Sequence, residues 1–355
     1  MRNGESELLL DEISTIANIP APTFEEEARL EWLVERLRQA PGNLHRDAAR
    51  NLIWSWGDGR PQLLVTAHVD TVFPRRTSLG VERDGNWLVG PGVGDNAAAI
   101  AVTIRVVEHL LRTQRLAPAA VAFTVCEEGL GNLRGARQAC SDLAPTAVLA
   151  VEGHGLDAIV ADAHGSIRAR IAVEGPGGHA WTNRDRPSAV HALLRIGAEA
   201  IGLGTTDDPV NIGLLEGGLS INAIAETAEL LVEKRALDPT ELASFKGFLQ
   251  HVRCEPPLEA RVELLGERAA GTLPRDDPLL KSVERVRHEL GLPNVLESGS
   301  TDANAAMGLG IPALSIGISR GRDMHTRHER IDIASLDDGM RQLEMVLTAR
   351  LTARQ

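Results

Sequence analysis

The sequence has few cysteines, no long apolar run and no cluster of basic residues, and each absence argues against a class of structure or of binding partner. Its three cysteines are an odd number without paired spacing, which argues against a disulfide framework and against a cysteine zinc site: Cys126, Cys140 and Cys254. No apolar stretch approaches the roughly 18 to 20 residues that a membrane-spanning helix needs. Any metal ion must therefore be held by histidine and carboxylate side chains.

The chain is acidic. Its 355 residues carry a formal net charge of -12, and no run is rich in Lys or Arg. An acidic chain without a basic run is poorly suited to neutralise the phosphates of nucleic acid, so nucleic acid is not an expected partner. Acidic residues near the start stand where a secretory signal peptide would need apolar ones: Glu5, Glu7, Asp11 and Glu12. We therefore expect a cytoplasmic protein without a membrane partner.

Two kinds of segment divide the chain. Strand-length apolar runs, such as 62–69 and 119–125, alternate with helix-length segments over residues 1–164 and 273–355, which is typical of an α/β domain. The intervening residues 165–272 combine a long alternating strand with further strands and helices, which indicates a small α+β domain. The length exceeds a comfortable single domain, so the simplest interpretation is one α/β domain interrupted by an insertion.

The segment before the first strand is expected to be helical. Leu8, Leu9, Ile13 and Ile16 recur at helical spacing. After a break at IPAPT, Thr23 and Glu26 have the spacing of a capping box, which predicts that a second amphipathic helix starts there.

Polar side chains follow three of the apolar strands. His68 and Asp70 end one strand, Glu127 and Glu128 follow the next, and Glu152 caps a third. Open α/β sheets build their sites at such carboxyl ends. A lone His-x-Asp pair is more often an ordinary polar strand end, and adjacent carboxylates are often an exposed loop. The repulsion between two neighbouring glutamates nevertheless favours cations nearby.

Asp95 follows a glycine-rich turn, GPGVGDNAAA, at the start of an apolar helix. One alternative is a first-turn carboxylate that only stabilises the helix. Another is a nucleotide-binding oxidoreductase, since Gly92, Gly94 and Ala97 fit a G-x-G-x-x-A string. That fingerprint belongs at the first strand and helix of its unit, whereas two strands and a helix pair precede this one, so we rank the oxidoreductase far behind.

The motif MHTRHERI near the C-terminus adds His325, His328 and Glu329. It is not the zincin string HExxH, because Asp332 stands where the second histidine would be. A solvated loop is the alternative for His328. Together, histidines and carboxylates without cysteine form a ligand set suited to paired zinc, manganese or cobalt ions.

With these residues assembled, the order of motifs resembles the M20 family of metallopeptidases. The matching motifs span residues 68–329 and are HVDT, GVGDN, EEGLG, AVEGHG, GGHA, INAIAE, GSTDAN and HTRHE. The likeness is greatest to tripeptidase-T-like, carboxypeptidase and deacylase relatives, including acetylornithine deacetylase and succinyl-diaminopimelate desuccinylase. It implies a three-layer, mixed-sheet catalytic domain over residues 1–164 and 273–355, with an inserted lid and dimerisation domain over 165–272.

The resemblance also assigns roles at the expected metal centre. It implies His68 and Glu152 on one divalent ion, Glu128 and His325 on the other, and Asp95 bridging both. Glu127 is then the general base and Asp70 orients His68. His325 is preferred over His328 because the family's ligand histidine stands four residues before a glutamate, here Glu329. Zinc is the expected metal, with cobalt or manganese as alternatives.

Lid and cleft residues match the family as well. His179 resembles the lid histidine that reaches a neighbouring subunit's active site to stabilise the oxyanion, which implies a homodimer. The implied substrate-binding residues are Asn222, Arg235, Thr301 and Asp302. Two alternatives stay open: Arg235 as part of a surface ion pair, and Asp302 as a helix N-cap.

The sequence departs from the family at a few positions. Asn96 and Ala97 follow Asp95 where relatives often carry Met-Lys or Lys-Ala, and Asn304 stands where some relatives have an arginine for the substrate carboxylate. Glu152, rather than aspartate, resembles carboxypeptidase-like and deacylase members. We therefore expect a hydrolase for an amide bond in a small peptide or N-acyl amino acid, acting as an exopeptidase or deacylase. A non-catalytic metal-binding member is the alternative, disfavoured because Glu127 is retained.

Overall fold

The computed structural model of the protein describes residues 3–352. Within this range, helices α1 to α9 span Asn3–Ala17, Glu27–Leu37, Ala99–Thr113, Arg134–Leu143, Ala189–Gly202, Pro239–His251, Pro278–Leu290, Ala303–Gly308 and Ser335–Leu351. An irregular helical turn, Val93–Ala98, leads directly into α3. No helix of residues 3–352 has both the length and the apolar character needed to cross a bilayer.

The strands of residues 3–352 are short in most of the chain and longest in its middle. Strands β1 to β19 span Asn43–Arg46, Leu52–Trp56, Leu63–His68, Glu82–Asp84, Trp87–Val89, Ala119–Thr124, Val148–Glu152, Ala158–Ala163, Gly165–Glu174, Gly178–His179, Val210–Gly217, Ala223–Ile224, Thr227–Ala236, Glu259–Arg268, Gly271–Thr272, Val295–Gly299, Ala313–Gly317, Gly321–Arg322 and Arg330–Asp332.

The chain folds into two compact units. The first unit ends its initial stretch at Ala163 and resumes at Thr272, and the second unit is His164–Gly271. In the first unit, nine strands of the described chain form one sheet in the order β1-β2-β6-β3-β7-β17-β8-β15, with β16 paired to β8. Strands β6, β3, β7 and β17 run parallel, whereas β1, β2 and β8 introduce antiparallel pairs. The predicted mixed α/β class is confirmed.

Alternate residues of the central strands pack against helices on opposite faces of this sheet, as expected for a strand buried on both sides. On β3, Leu63 and Val65 join the larger core, to which α1, α2, α3, α7 and α9 contribute. Leu64 joins the opposite core with residues of α4 and α8, including Ala139 and Ala306. The first unit therefore has three layers.

The second unit has a four-stranded antiparallel sheet in the order β11-β13-β9-β14. Along β9, Ile167, Ala169, Ile171 and Val173 alternate into a core shared with α5 and α6. On the other face of the same strand, Arg168 and its neighbours pair with glutamates. One face of the sheet is therefore apolar and covered, and the other is polar.

A small four-stranded sheet of the first unit joins two distant parts of the chain. Its order is β18-β19-β5-β4, and Arg330 of β19 lies opposite Val89 of β5. The loop 323–329 connects β18 to β19, and the turn 90–95 follows β5. This pairing holds the loop beside the turn.

The predicted capping box at Thr23 is wrong. Helix α2 begins at Glu27, and its N-cap Glu26 makes no side-chain capping bond. The Thr23 hydroxyl instead donates to Asp70 at 2.9 Å, and Glu26 accepts from the backbone N–H of Cys126 at 3.0 Å. Glu26 also accepts the backbone N–H of Phe24 at 2.9 Å, but neither side chain makes the bond that the capping box requires.

Candidate metal centre

The ends of three neighbouring strands bring the predicted residues together. Strands β6, β3 and β7 are adjacent and parallel, so their carboxyl ends share one edge of the sheet. His68 is the last residue of β3, Glu152 is the last of β7, and Glu127 and Glu128 follow β6. All four lie in the first unit, at the edge where open α/β sheets carry their sites.

The five residues predicted as metal ligands form a continuous series of contacts. His68 Nε2 lies 3.6 Å from Glu152 Oε2 and 2.9 Å from Asp95 Oδ1. The other oxygen of Asp95, Oδ2, lies 2.9 Å from His325 Nε2, which is 3.2 Å from Glu128 Oε1. Asp95 therefore stands between the two histidines, and each histidine has one further carboxylate beside it.

The series runs from the interior of the unit to its surface. The side chain of His68 is 3% exposed, that of Asp95 is 10% exposed, and that of His325 is 47% exposed. A small molecule can therefore approach this centre from the side of His325, while His68 closes its interior end.

Opposite charges in the centre stabilise one another. Burial opposes charge on Asp95, but hydrogen bonds from His325 and His68 outweigh it and lower the pKa of this carboxyl. Hydrogen bonds to Asp95 and then to Glu128 raise the pKa of His325 to about 10. Burial also opposes charge on His68, yet its carboxylate neighbours raise the pKa of the imidazole well above the usual value. At neutral pH both imidazoles hold protons that a bound cation would displace.

The donor set fits divalent cations. One ligand atom each from His68, Asp95 and Glu128 lies within 4.8 Å of the others. Imidazole nitrogen and carboxylate oxygen are good donors for zinc, manganese and cobalt. The two oxygens of Asp95 face different histidines, so this carboxylate is placed to touch two ions at once. The ligand roles of the individual residues remain predictions.

Asp70 orients its neighbours in two ways. The Nδ1–H of His68 donates to the backbone carbonyl of Asp70 at 3.1 Å, which leaves Nε2 facing Asp95 and Glu152. The carboxylate of Asp70 is 3.7 Å from the imidazole, too far for a hydrogen bond. It instead accepts the backbone N–H groups of Glu127 at 2.9 Å and Glu128 at 3.0 Å.

The glycine-rich turn before α3 is held by an internal carboxylate. Gly92 donates its backbone N–H to Glu329 Oε2 at 2.8 Å, and Gly94 and Asp95 donate theirs to Oε1 at 2.9 and 2.8 Å. A dinucleotide-binding loop needs such amides for its pyrophosphate. Since these amides already have an anion, the turn offers no phosphate site.

A serine-hydrolase string also lies beside the centre, at GISRG from Gly317 to Gly321. Its Ser319 is fully buried, and the hydroxyl donates to the carbonyl of Gly153 at 2.5 Å. Strand β18 follows the string, where a nucleophile elbow requires a helix. Ser319 is therefore a structural residue.

In the second unit, His179 and Asn222 lie together. Strand β10 pairs with β12, and Ala180 donates its backbone N–H to the carbonyl of Asn222 at 2.9 Å. His179 Nδ1 accepts the backbone N–H groups of Trp181 at 3.2 Å and Thr182 at 3.3 Å. A neutral imidazole whose Nδ1 accepts hydrogen bonds carries its proton on Nε2. His179 thus presents an Nε2–H donor.

Other residues predicted to bind substrate are engaged by protein groups. Arg235 lies near the end of β13, opposite Ser166, whereas β13 begins eight residues earlier, at Thr227, shortly after β12. Its side chain donates to Glu233 at 3.0 Å. The second unit therefore does not bring Arg235 next to His179, and the surface-pair alternative describes its contact.

Thr301 and Asp302 lie in the first unit, directed into the protein. The hydroxyl of Thr301 is 2.5 Å from that of Ser315, and Asp302 accepts from Thr124 Oγ1 at 2.6 Å. Burial raises the pKa of Asp302. Asp302 stands at the N-cap position of α8, as the alternative holds, but its side chain makes no capping bond to the helix. Asn304 is also buried and accepts from Thr301 N–H at 2.9 Å.

Comparison with known proteins identifies the family to which the chain belongs. The sequence profile of Peptidase family M20/M25/M40 matches residues 64–349. The chain belongs to this peptidase family. The resemblance inferred from the motifs is therefore confirmed, and the protein is an M20 hydrolase with a candidate metal-binding triad at His68, Asp95 and Glu128.

Individual relatives agree in fold and extent. The [LysW]-lysine hydrolase of Deinococcus radiodurans is 26% identical over 350 residues, which cover 95% of each chain. A tripeptidase structure from Staphylococcus aureus superposes with a TM-score of 0.82 at 22% identity, covering 97% of this chain and 98% of that one. A dinuclear metal-binding M20 peptidase from Bacillus subtilis superposes with a TM-score of 0.69 at 15% identity and covers 98% of both chains.

Three side chains that support the centre were not predicted to do so from the sequence. Thr23 donates to Asp70, and His154 and the carboxylate of Glu329 contact each other at 2.8 Å behind the glycine turn. The spacing of His154 two residues after Glu152 was the available signal. That spacing does not predict a role for His154, because its partner Glu329 comes from a distant part of the chain.

Proposed function

We propose that the protein is a two-metal amidohydrolase that cleaves an amide bond in a small peptide or an N-acyl amino acid. The observation that carries this proposal is the contact series in which Asp95 lies between His68 and His325. Glu152 flanks one histidine and Glu128 the other. This is the arrangement that a carboxylate-bridged pair of ions requires, with zinc the expected metal and cobalt or manganese as alternatives.

The residues divide the work of hydrolysis. Two divalent ions, when bound, supply Lewis acidity toward the scissile carbonyl and the attacking water. Glu127 takes the proton of that water and delivers it to the leaving nitrogen, a role for a carboxylate beside the ligands. Asp70 fixes the backbone of Glu127 and Glu128 through its two oxygens, which keeps the base and the adjacent ligand in register.

His179 is assigned to the oxyanion. Its Nδ1 accepts two backbone N–H groups, which favours the tautomer with the proton on Nε2. Such a donor stabilises negative charge that develops on the carbonyl oxygen in the transition state. By its likeness to the family's lid histidine, we assign His179 to the active site of a partner subunit in a homodimer.

The substrate class follows from features of the centre and from relatives. Glu152 resembles the residue of carboxypeptidase-like and deacylase members, which favours a substrate recognised by a free carboxylate. The relatives include a [LysW]-lysine hydrolase and a tripeptidase. Asn304 does not serve as the carboxylate anchor, because it is buried and bonded to Thr301.

A substrate panel tests the proposal. The protein, loaded separately with zinc, cobalt and manganese, is assayed against dipeptides, tripeptides and N-acyl amino acids, each with a free or an amidated carboxyl terminus. We expect hydrolysis of a free-carboxylate substrate and loss of that activity in Glu127→Gln. A fully loaded protein that cleaves none of the panel would overturn the proposal.

A further inference from the structure

Glu329 is a buried carboxylate to which the ligand assignment gives no role. Its side chain is fully buried, yet it accepts four hydrogen bonds of 2.8 to 2.9 Å. Oε2 accepts the N–H of Gly92, and Oε1 accepts those of Gly94 and Asp95 together with Nε2–H of His154. A buried carboxylate is costly unless its oxygens are satisfied, and here both are.

Three of these four donors are backbone N–H groups of the turn that carries Asp95. Successive N–H groups that converge on one anion form a concave anion site, and the anion in return fixes the backbone that supplies them. One donor is the N–H of Asp95 itself, whose two oxygens face His68 and His325 at 2.9 Å each. A shift of this turn would therefore move both oxygens relative to both histidines.

The same loop delivers His325 and Glu329. Residues 323–329 lie between β18 and β19, and the backbone carbonyl of Glu329 accepts the N–H of Gly90 at 2.9 Å. The same loop therefore contacts Asp95 twice. His325 contacts its carboxylate oxygen Oδ2, and Glu329 accepts a hydrogen bond from its backbone N–H. The loop and the turn are therefore joined by the backbone carbonyl of Glu329, by its carboxylate and, within the centre itself, by His325.

His154 supports Glu329 from behind. It lies two residues after Glu152 and contacts Oε1 of Glu329 at 2.8 Å. Glycines make room for its ring, because a Cβ at Gly94 or at Gly321 would overlap the imidazole. His154 therefore links the segment of Glu152 to the same carboxylate that holds the Asp95 turn.

We propose that Glu329, supported by His154, is the positioning residue that sets the geometry of the Asp95 bridge between two metal ions. The inference rests on the proposed two-metal function. It makes Glu329 neither a ligand nor a proton carrier: the residue acts through the backbone of Gly92, Gly94 and Asp95. Loss of an acceptor oxygen should therefore weaken the binding of both ions and alter the magnetic coupling between them through Asp95.

The decisive variant is Glu329→Gln. An amide of the same shape offers one acceptor oxygen, so its NH₂ group must face at least one N–H donor of the turn or of His154. Groups that orient metal ligands typically contribute about 10 to 100-fold in metal affinity. We expect a loss of this size for both ions, measured by competition with a chromogenic chelator in the absence of substrate.

A spectroscopic readout separates positioning from general stability. Two Mn²⁺ ions bridged by one carboxylate are magnetically coupled, and their electron paramagnetic resonance spectrum differs from that of isolated ions. We expect Glu329→Gln, saturated with Mn²⁺ and still folded by near-UV circular dichroism, to lose or change this coupling. A coupled spectrum and chelator affinities equal to those of the unaltered protein would overturn the inference.

His154→Phe keeps a ring in the cavity but removes the donor, and it serves if Glu329→Gln does not fold. We expect about a 5-fold loss of metal affinity, the effect of one lost hydrogen bond. The matched controls are Glu344→Gln and His109→Phe, from an exposed Glu–His pair 3.6 Å apart on α9 and α3. Unchanged affinity in His154→Phe, or an equal loss in the controls, would also refute the inference. Because no substrate is used, these results do not depend on which amide is cleaved.

Discussion

His325 Nε2 lies 2.9 Å from Asp95 Oδ2, although 230 positions separate the two residues. Strand pairing in the small β18-β19-β5-β4 sheet creates this contact. Two distant segments of the first unit thus meet at the candidate metal centre, and a bound cation would displace the proton of this hydrogen bond. The predictions below follow from that exchange of protons for cations and from the contacts around it.

Metal loading should release protons and should tighten as the pH rises. Carboxylate neighbours raise the pKa of His325 to about 10 and that of His68 well above its usual value. Each ion must displace such a proton, so the apparent dissociation constant should fall from pH 6.5 toward pH 10. Proton release during titration with Zn²⁺ in weak buffer measures this, and His325→Ala should release fewer protons. A pH-independent affinity would contradict the assignment.

Removal of metal should abolish activity and leave the fold in place. His68, Glu128 and Glu152 lie at strand ends of a nine-stranded sheet with helices on both faces, so the core does not depend on an ion. We expect chelator to inactivate the protein reversibly and readdition of metal to restore it. Far-UV circular dichroism should stay unchanged; its collapse on chelation would show that folding requires the metal.

Glu127→Gln and Glu128→Gln should separate the base from the ligand. Glu127→Gln keeps the shape but cannot accept a proton, and we expect both ions to remain while kcat falls by about 10² to 10⁴-fold. Glu128→Gln should lose metal, because its carboxylate lies 3.2 Å from His325 Nε2. Metal analysis beside steady-state kinetics tests both, and the reverse pattern would exchange the two roles.

Asp70→Asn should lower activity through the backbone of the neighbouring strand end. The carboxylate accepts hydrogen bonds from the N–H groups of Glu127 and Glu128 and from the Thr23 hydroxyl through both oxygens, whereas Asn has one acceptor oxygen and must turn its NH₂ group toward at least one of these donors. We expect a loss of about 10 to 100-fold in kcat or metal affinity. Thr23→Val removes only one donor and is the graded control, for which a smaller loss is expected. Equal losses in both variants would point to general destabilisation.

His179→Ala should reduce kcat by about 10² to 10³-fold with metal content unchanged, since an oxyanion donor acts mainly in the transition state. If the histidine is supplied in trans, mixing His179→Ala protein with Glu127→Gln protein should regenerate one competent site per heterodimer. Subunit exchange is verified by mass. Mixed dimers without any recovered activity would refute sharing and leave His179 to its own subunit.

Much of the centre could be predicted from the sequence because several of its residues follow apolar runs. His68, the Glu127–Glu128 pair and Glu152 end strands whose hydrophobicity marks them plainly, and parallel neighbours bring such ends together. His325 was harder, since its loop follows a two-residue strand without a hydrophobic pattern. Only the family's spacing to Glu329 distinguished it from His328, which is exposed and bonds locally to Thr326.

Other features could not be read because long-range contacts override local patterns. Thr23 matched a local capping rule, yet its hydroxyl bonds to Asp70, 47 positions away. Asp302 sits just before a helix but accepts from Thr124 instead of capping it. In each case the competing partner belongs to a strand end that the sequence does not place beside it.

The chain leaves the first unit and returns to it at one edge of the large sheet. Strand β15 lies beside β8 at the sheet edge, and Leu273 donates its backbone N–H to Ala161 at 2.9 Å. The polypeptide therefore leaves the first unit along one strand and re-enters it along a neighbouring strand. Every predicted metal ligand belongs to the first unit, so a shorter connection in place of the insertion would keep all five ligands but would remove His179.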